Sequence, residues 1–230
     1  MNHTSFFLSF FFLFASQLIA QNDIYVLSNA QSIDPNRYEG IDGNPYFFKQ
    51  WMSADAYNYQ MEKFDSLRVN FNGKTGEMEA RQGNSFLELD QKFYARIVIS
   101  AERNEGIFPS DAGEQLIFQQ KLHKTFANRW PILVYKGKDF SLIREFSSIV
   151  STKTFEDVGK TIEKKRFIRR NSYFLLQGGK LSLIKTQKKK LLASLKHRSE
   201  MERFIKKNKI NLKQQDGLEK LFAYYDQLGG

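Results

Sequence analysis

Two segments, ILVYKGKDFSLIR at positions 132–144 and YFLLQGGKLSLIK at positions 173–185, share one pattern. Each has a β-prone apolar run, a glycine-containing turn, and a second run that reads apolar-Ser-Leu-Ile-basic. Tight hairpin turns need positive φ angles, which glycine adopts at little steric cost. The pattern therefore predicts a β-hairpin at each segment. Duplication of one hairpin is an alternative, but we interpret the likeness as shared turn chemistry.

A third hairpin is predicted upstream of these two. Residues 67–71 (LRVNF) alternate apolar and polar side chains, as half-buried strands do. The turn NGKTG follows at residues 72–76, and the return strand begins at residue 78. The β-prone runs at residues 86–89 and 94–99 predict two further strands. The first two thirds of the chain are therefore expected to be rich in strands.

Helical spacing is found in two places. Phe155, Val158 and Ile162 predict a short helix that crosses over from the first glycine hairpin to the second. Near the C-terminus, SEME at positions 199–202 matches a capping box, in which side chains bond free backbone N–H groups at a helix start. Apolar stripes at helical spacing are formed by Leu191, Leu192 and Leu195, by Met201, Phe204 and Ile205, and by Leu218, Leu221, Phe222, Tyr225 and Leu228.

These patterns predict an α+β protein. An antiparallel sheet is expected from about Tyr46 to Lys185; whether the sheet curls or closes like a barrel is left open. The predicted organisation is a β-rich domain over residues 21–185 and a basic helical segment over residues 186–230. Helices this short are marginal alone, so the helical segment is expected to pack on the sheet or to project from it.

The N-terminus has the pattern of a targeting segment. Residues 6–14 (FFLSFFFLF) form an apolar run that is too short to span a bilayer, which needs ~20 residues. This is the length of a signal-peptide core, and Ala20 before Gln21 is a plausible cleavage site. We therefore predict a signal peptide over residues 1–20, with an uncleaved anchor helix as the alternative. No later segment has membrane-spanning length, so the mature chain is expected in the periplasm or at the outer-membrane surface.

Positive charge is concentrated in the last third of the chain. The formal net charge is +10, yet residues 21–150 carry a net −2 and residues 151–230 a net +12. Such asymmetry attracts polyanions, although solvated helix faces are the plainer explanation of lysine runs. The candidate contacts for an anionic partner are Lys164, Lys165, Arg166, Phe167, Arg169, Arg170, Lys188, Lys189, Lys190, Lys206, Lys207 and Lys209.

No catalytic site is predicted. The chain has no cysteine, which excludes disulfides, thiolate metal sites and cysteine nucleophiles. Residues 73–75 (GKT) imitate the end of a phosphate-binding loop, but Arg68 stands where that loop needs glycine. His123 and His197 lie in segments of different predicted character, and Glu77 with Glu79 shares one strand face, where solvent-facing charge is the commoner outcome. We therefore expect no enzyme activity, no cofactor and no metal, and a hydrolase is only the third functional alternative, because no nucleophile–base pair is recognisable in the sequence.

Several motifs occur together along the chain: the Ala20–Gln21 junction, RVNF before an Asn-Gly turn and the Gly-Lys hairpins. In the tail, Lys188 to Lys190, KKNKINL at positions 206–212 and LFAYY at positions 221–225 follow in order. With these motifs the chain resembles a group of exported proteins of Bacteroidota to which no activity is assigned. The resemblance implies export and a β-rich body with a helical tail, and it implies no chemistry.

The leading functional hypothesis is a non-enzymatic envelope protein. It would bind a partner protein or an anionic envelope polymer or lipid through its basic C-terminal third. Phe167 among cations would suit stacking on a base or contact with anionic lipid A or acidic glycan, but an exported protein seldom meets nucleic acid, so none is expected as a partner. The alternative is a carrier that holds an apolar ligand such as lipid within a curled sheet, because the chain has 22 phenylalanines.

Overall fold

The computed structural model describes residues 31–110, 112–157 and 160–230. The expected signal peptide lies outside these residues. The strands are β1 (Gln31–Ser32), β2 (Ile41–Asp42), β3 (Met52–Asn58), β4 (Lys63–Asn72), β5 (Glu77–Gln82), β6 (Ser85–Glu88), β7 (Tyr94–Ser100), β8 (Gln115–Gln119), β9 (Ile132–Lys136), β10 (Phe140–Asp157), β11 (Lys160–Gln177) and β12 (Lys180–Ile184). The helices are α1 (Lys188–Ala193), α2 (Arg198–Lys207) and α3 (Gln215–Gln227), with single 3₁₀ turns at Glu102–Asn104 and Lys124–Phe126.

The strands form one large sheet in the order β1-β6-β5-β4-β3-β7-β8-β9-β10-β11-β12. Neighbours along this path are antiparallel, and β2 adds a short parallel pair to the free part of β11. Most neighbours in the sheet are also neighbours in sequence. Short turns join several of them, whereas longer connections join β7 to β8 and β8 to β9. The sheet-rich, mainly antiparallel architecture with C-terminal helices is therefore confirmed.

All three predicted hairpins are present. The strands β9 and β10 meet at Gly137, whose N–H donates to the Phe140 carbonyl. The strands β11 and β12 meet at Gly178 and Gly179, both at positive φ, as a two-residue hairpin turn requires. The strands β4 and β5 flank the NGKTG turn. The turns therefore lie where the glycines predicted them, but the expected positive φ is not found at Gly137.

The predicted crossover helix over residues 155–162 is wrong. The strands β10 and β11 have 18 residues each and pair along their whole length, up to Asp157 opposite Lys160. Phe155 stands directly opposite Ile162 in this register. Their seven-residue separation, which fits a helix, is equally the separation of partners across a hairpin end. The β-branched residues of this region favour the strand.

The helices share one hydrophobic core with the sheet. The apolar stripes are buried as predicted, with Leu191, Leu218 and Phe222 each at most 2% exposed. The Phe140 ring of β10 packs against the rings of Phe222 and Tyr225, at centroid distances of 5.9 and 5.4 Å. Within the described residues, no helix combines the length and the apolar character needed to cross a membrane.

The predicted capping box at residues 199–202 is wrong. Helix α2 begins earlier, at Arg198, and its N-cap residue is His197 in the left-handed conformation, without a side-chain cap bond. The apolar stripe placed Met201 correctly on the buried face of this helix. Ser199 therefore lies inside the first turn of the helix and not at its cap.

Candidate functional site

The long β10–β11 hairpin extends beyond the strands that flank its base. The strand β9 pairs with β10 only as far as Arg144, and β12 pairs with β11 only from Tyr173 onward. Residues 145–157 and 160–172 therefore form a two-stranded extension, which we call the arm. The edge of β11 pairs with β2 at Lys165 and Arg166. The edge of β10 contacts the β4–β5 turn through a hydrogen bond from the Ser148 N–H to the Gly73 carbonyl.

The register of the arm assigns its residues to two faces. Alternate residues of a strand point to opposite faces, and residues directly opposite across an antiparallel pair share a face. Away from the base of the arm, the outer face has the pairs Ser147–Arg170, Ile149–Ile168, Ser151–Arg166, Lys153–Lys164 and Phe155–Ile162. These five pairs contain four cations and no carboxylate. At the base, Glu145 lies on the same face and forms an ion pair with Arg129.

The outer face also exposes apolar side chains. Phe155, Ile162 and Ile149 are 48%, 40% and 37% exposed, and they are among the large apolar residues most open to solvent in the described part of the chain. Soluble proteins expose single apolar side chains routinely, but here three of them alternate with cations along one face. The arm thus presents a surface that is both basic and apolar.

The opposite, inner face of the arm lies against the body of the protein. Phe167 packs edge-on against Tyr38, with ring centroids 5.3 Å apart. Arg169 donates from Nη2 to the Phe47 carbonyl at 2.6 Å, and its guanidinium lies 5.1 Å from the centroid of the Phe146 ring. Burial, together with the charge of Arg144, lowers the pKa of Arg169. These two predicted contact residues therefore fix the arm to the body.

The other predicted contacts divide between the arm and the helices. Lys164, Arg166 and Arg170 lie together on the outer face. By register Lys165 belongs to the inner face, where it lies beside β2, but it is exposed. The remaining candidates are exposed but belong to the helical layer, where Lys188 forms an ion pair with Glu202 at 2.8 Å. They lie on α1, on α2 and just after α2: Lys188, Lys189, Lys190, Lys206, Lys207 and Lys209.

The sequence prediction included only Lys164, Arg166 and Arg170 of the outer face. Runs of consecutive cations do not include the other residues of this face that are charged or apolar: Ile149, Lys153, Phe155, Ile162 and Ile168. A strand displays every second residue, so the relevant signal is the two-residue period of Ile162, Lys164, Arg166, Ile168 and Arg170. This two-residue spacing predicts a strand that carries cations and apolar side chains on one face.

Glu79 of β5 is the centre of a buried polar cluster. Glu79 is fully buried and accepts hydrogen bonds from Arg37, from the Tyr46 hydroxyl at 2.8 Å and from Asn72 Nδ2 at 2.7 Å. These donors satisfy both oxygens, so Glu79 ties the segment before β3 to the β4–β5 hairpin. Within residues 31–110, 112–157 and 160–230, no group of three or more acidic or histidine side chains could hold a metal ion.

Of the histidines in the part of the chain that the structure describes, His123 and His197, neither forms an ion pair or hydrogen bond with a carboxylate. His123 Nδ1 accepts from the Thr125 backbone N–H at 3.2 Å and caps a 3₁₀ turn. His197 is an exposed residue at the start of α2. His123 therefore has a local structural role.

Comparisons with known proteins add no assignment to this geometry. No protein-family model matches the chain, and neither the search of curated proteins nor that of solved structures finds a match.

Proposed function

We propose that this chain is a non-enzymatic, exported protein of the cell envelope that binds an anionic lipid surface with the outer face of its arm. The observation that carries the proposal is the alternation of Lys153, Lys164 and Arg166 with the exposed side chains of Phe155 and Ile162 on one strand face. Export itself rests on the N-terminal pattern of the sequence.

The chemistry of the outer face favours a lipid surface over other polyanions. A cation near an anionic membrane surface contributes about 1 kcal/mol, so four cations give an appreciable attraction. Apolar side chains beside them gain further free energy by entering the interface, about 25 cal/mol per Å² buried. Nucleic acids would use the cations but would leave Ile162 and Ile149 in water. A partner protein with an acidic groove is the competing occupant that the experiment must separate.

The test is co-sedimentation of the purified protein with vesicles. We expect binding to phosphatidylcholine vesicles that contain phosphatidylglycerol, and little binding to phosphatidylcholine alone. The double substitution Lys164→Glu/Arg166→Glu should weaken binding by about tenfold or more. Phe155→Ser should weaken it with no change of net charge, because this residue is expected to enter the interface.

The matched control is Lys189→Glu/Lys190→Glu on helix α1, which changes the net charge by the same amount. Exposed charges farther away than the Debye length, about 8 Å at physiological ionic strength, are largely screened, so this variant should bind nearly as well as the parent. Equal losses in the two double variants would contradict the role of the arm. Vesicle binding that is absent even at low salt, combined with crosslinking of the arm to a protein in cells, would replace the lipid surface with a protein partner.

The alternative of an apolar carrier has one supporting contact. The Ser148 N–H donates to the Gly73 carbonyl at 2.8 Å, although β4 and β10 are separated by four strands in the sheet order. We infer from this contact that the sheet curls. The rings of Phe71, Phe118 and Phe146 pack against one another inside, with centroids 5.4 and 6.1 Å apart for the two contacts of Phe71. Lipid that co-purifies and is detected by native mass spectrometry would favour this alternative.

A further inference from the structure

A cavity of about 230 Å³ lies at the foot of the arm. The strand β9 stops pairing with β10 at Arg144, and the next contact on that edge is the bond from Ser148 to Gly73. The cavity occupies this gap between the start of β9 and the β4–β5 turn. Its volume corresponds to about eight water molecules at ~30 Å³ each, enough for a small organic molecule.

Two residues that line the cavity each have a buried polar atom without a hydrogen-bond partner within the described residues. These atoms are the indole Nε1 of Trp130 and the hydroxyl Oγ of Ser148. Both residues are almost completely buried, at 1% and 2% exposure. Buried polar groups are nearly always paired in folded proteins, and two orphans in the lining of one cavity are unusual. An indole N–H can only donate a hydrogen bond, so a ligand group that pairs with it must be an acceptor.

The charges and the apolar walls narrow the class of ligand. Lys74 and Arg129 line the cavity, together with one carboxylate, Glu145, which is ion-paired with Arg129. The lining therefore has one cation in excess, which suits a monoanion better than a phosphate dianion. The lining also includes the apolar residues Phe71 and Phe146, which favour a ligand with an apolar body.

We propose that this cavity is a binding site for a small carboxylate with an apolar body, whose two oxygens accept from Trp130 Nε1 and Ser148 Oγ beside the ammonium group of Lys74. The proposal does not depend on what the arm binds. The main-chain bond from Ser148 to Gly73 positions the hydroxyl, and this bond is unaffected by changes of the Ser148 side chain. The Ser148 hydroxyl can therefore be removed without removing the backbone contact that forms the site.

The test uses Trp130 fluorescence as a local probe, in a Trp51→Phe background that leaves Trp130 as the one indole of the chain. Benzoate is the probe ligand, and benzamide and inorganic phosphate are the comparison compounds. We expect a saturable fluorescence change with benzoate, and affinities for benzamide and phosphate that are weaker by about tenfold. Ser148→Ala should weaken benzoate binding by about tenfold or more, because it removes a hydrogen bond to a charged group.

The control is Ser141→Ala, on the same strand but outside the cavity lining, which should bind benzoate like the Trp51→Phe parent. Circular dichroism of each variant verifies that it is folded. Absence of saturation with benzoate in a folded parent would overturn the proposal, as would equal affinity in the parent and in Ser148→Ala. Equal binding of phosphate would overturn the carboxylate class. None of these outcomes alters the vesicle result, so failure here and failure of the proposed lipid surface are distinguishable.

Discussion

At the residue scale, helices α2 and α3 end in the same backbone motif with different residues at its left-handed position. Helix α2 ends in a Schellman motif: the N–H of Ile210 donates to the Ile205 carbonyl, and the N–H of Lys209 to the Lys206 carbonyl. Helix α3 ends with the same pair of bonds, from Gly230 to Tyr225 and from Gly229 to Asp226. The left-handed position is Lys209 with φ 51° in one case and Gly229 with φ 75° in the other.

These two helix ends predict stability changes of opposite sign for the substitutions Lys209→Gly and Gly229→Ala. Lys209→Gly should raise the free energy of unfolding by up to about 1 kcal/mol, because glycine lacks the Cβ that is strained in the left-handed region. Gly229→Ala should lower it by about the same amount. Urea unfolding of both variants and the parent measures the effects. A decrease for Lys209→Gly would show that the Lys209 side chain contributes more than its backbone strain costs.

Gly73 is needed because of close packing. A Cβ at this position would overlap the Phe146 ring and lie 2.9 Å from the Ser148 nitrogen. The sequence showed a glycine in a hairpin turn, and turn chemistry alone explained it. The actual constraint is the approach of β10, which is distant in sequence, so no local pattern could have revealed it.

At the element scale, the β5–β6 hairpin brings three carboxylates together. Glu79 pairs with Glu88 across the hairpin, and Glu77 lies on the same strand as Glu79. Burial raises the pKa of Glu88 to about 7, with further contributions from the negative charges of Glu77 and Glu79. The sequence predicted the shared face of Glu77 and Glu79 correctly, but the burial of Glu79 depends on Arg37, which comes from outside the hairpin.

The raised pKa of Glu88 predicts a pH dependence of stability. Between the ordinary value of about 4.5 and about 7, the folded state keeps a proton that the unfolded state has released. The stabilisation is therefore complete below pH ~4.5 and is lost as the pH rises to ~7. Thermal unfolding across this range should show a smaller decrease for Glu88→Gln than for the parent.

The informative quantity is the difference between the two curves, because Glu219 has a pKa raised chiefly by burial and contributes with the same sign. Glu102→Gln, a change at an exposed carboxylate, serves as the control and should reproduce the parent curve. Parallel curves of unfolding temperature against pH for the parent and Glu88→Gln would contradict the raised pKa of Glu88.

The arm shows why local patterns located some elements and missed another. Glycines and apolar stripes act over a few residues, and they located the short hairpins and the three C-terminal helices. The pairing of two 18-residue strands depends on a register that extends from Phe140 opposite Gln177 to Asp157 opposite Lys160. Short windows centred on Phe155 or Ile162 contain too little of that register, and helical spacing was the nearest local fit.

At the scale of the whole molecule, the helical segment belongs to the same folding unit as the sheet. Tyr135 of β9 donates from its hydroxyl to Asp226 of α3 at 3.2 Å, and the Lys138 N–H donates to the same carboxylate at 3.1 Å. Arg144 joins β10 to α3 through Gln215 at 3.0 Å. Residues 186–230 therefore cover core side chains of the sheet, and we expect their removal to unfold it.

Shared packing predicts a single cooperative transition that Phe222 controls. Phe222→Ala should lower the free energy of unfolding by about 3–5 kcal/mol, because it leaves a cavity against Phe140 of the sheet. The two tryptophans lie in the body, and far-UV circular dichroism at the helical band reports α1 to α3. Urea curves from both probes should coincide in the parent and shift together in the variant. Curves that separate, with the helical signal lost first while tryptophan fluorescence stays native, would instead make the C-terminal segment an independent appendage on a self-sufficient sheet.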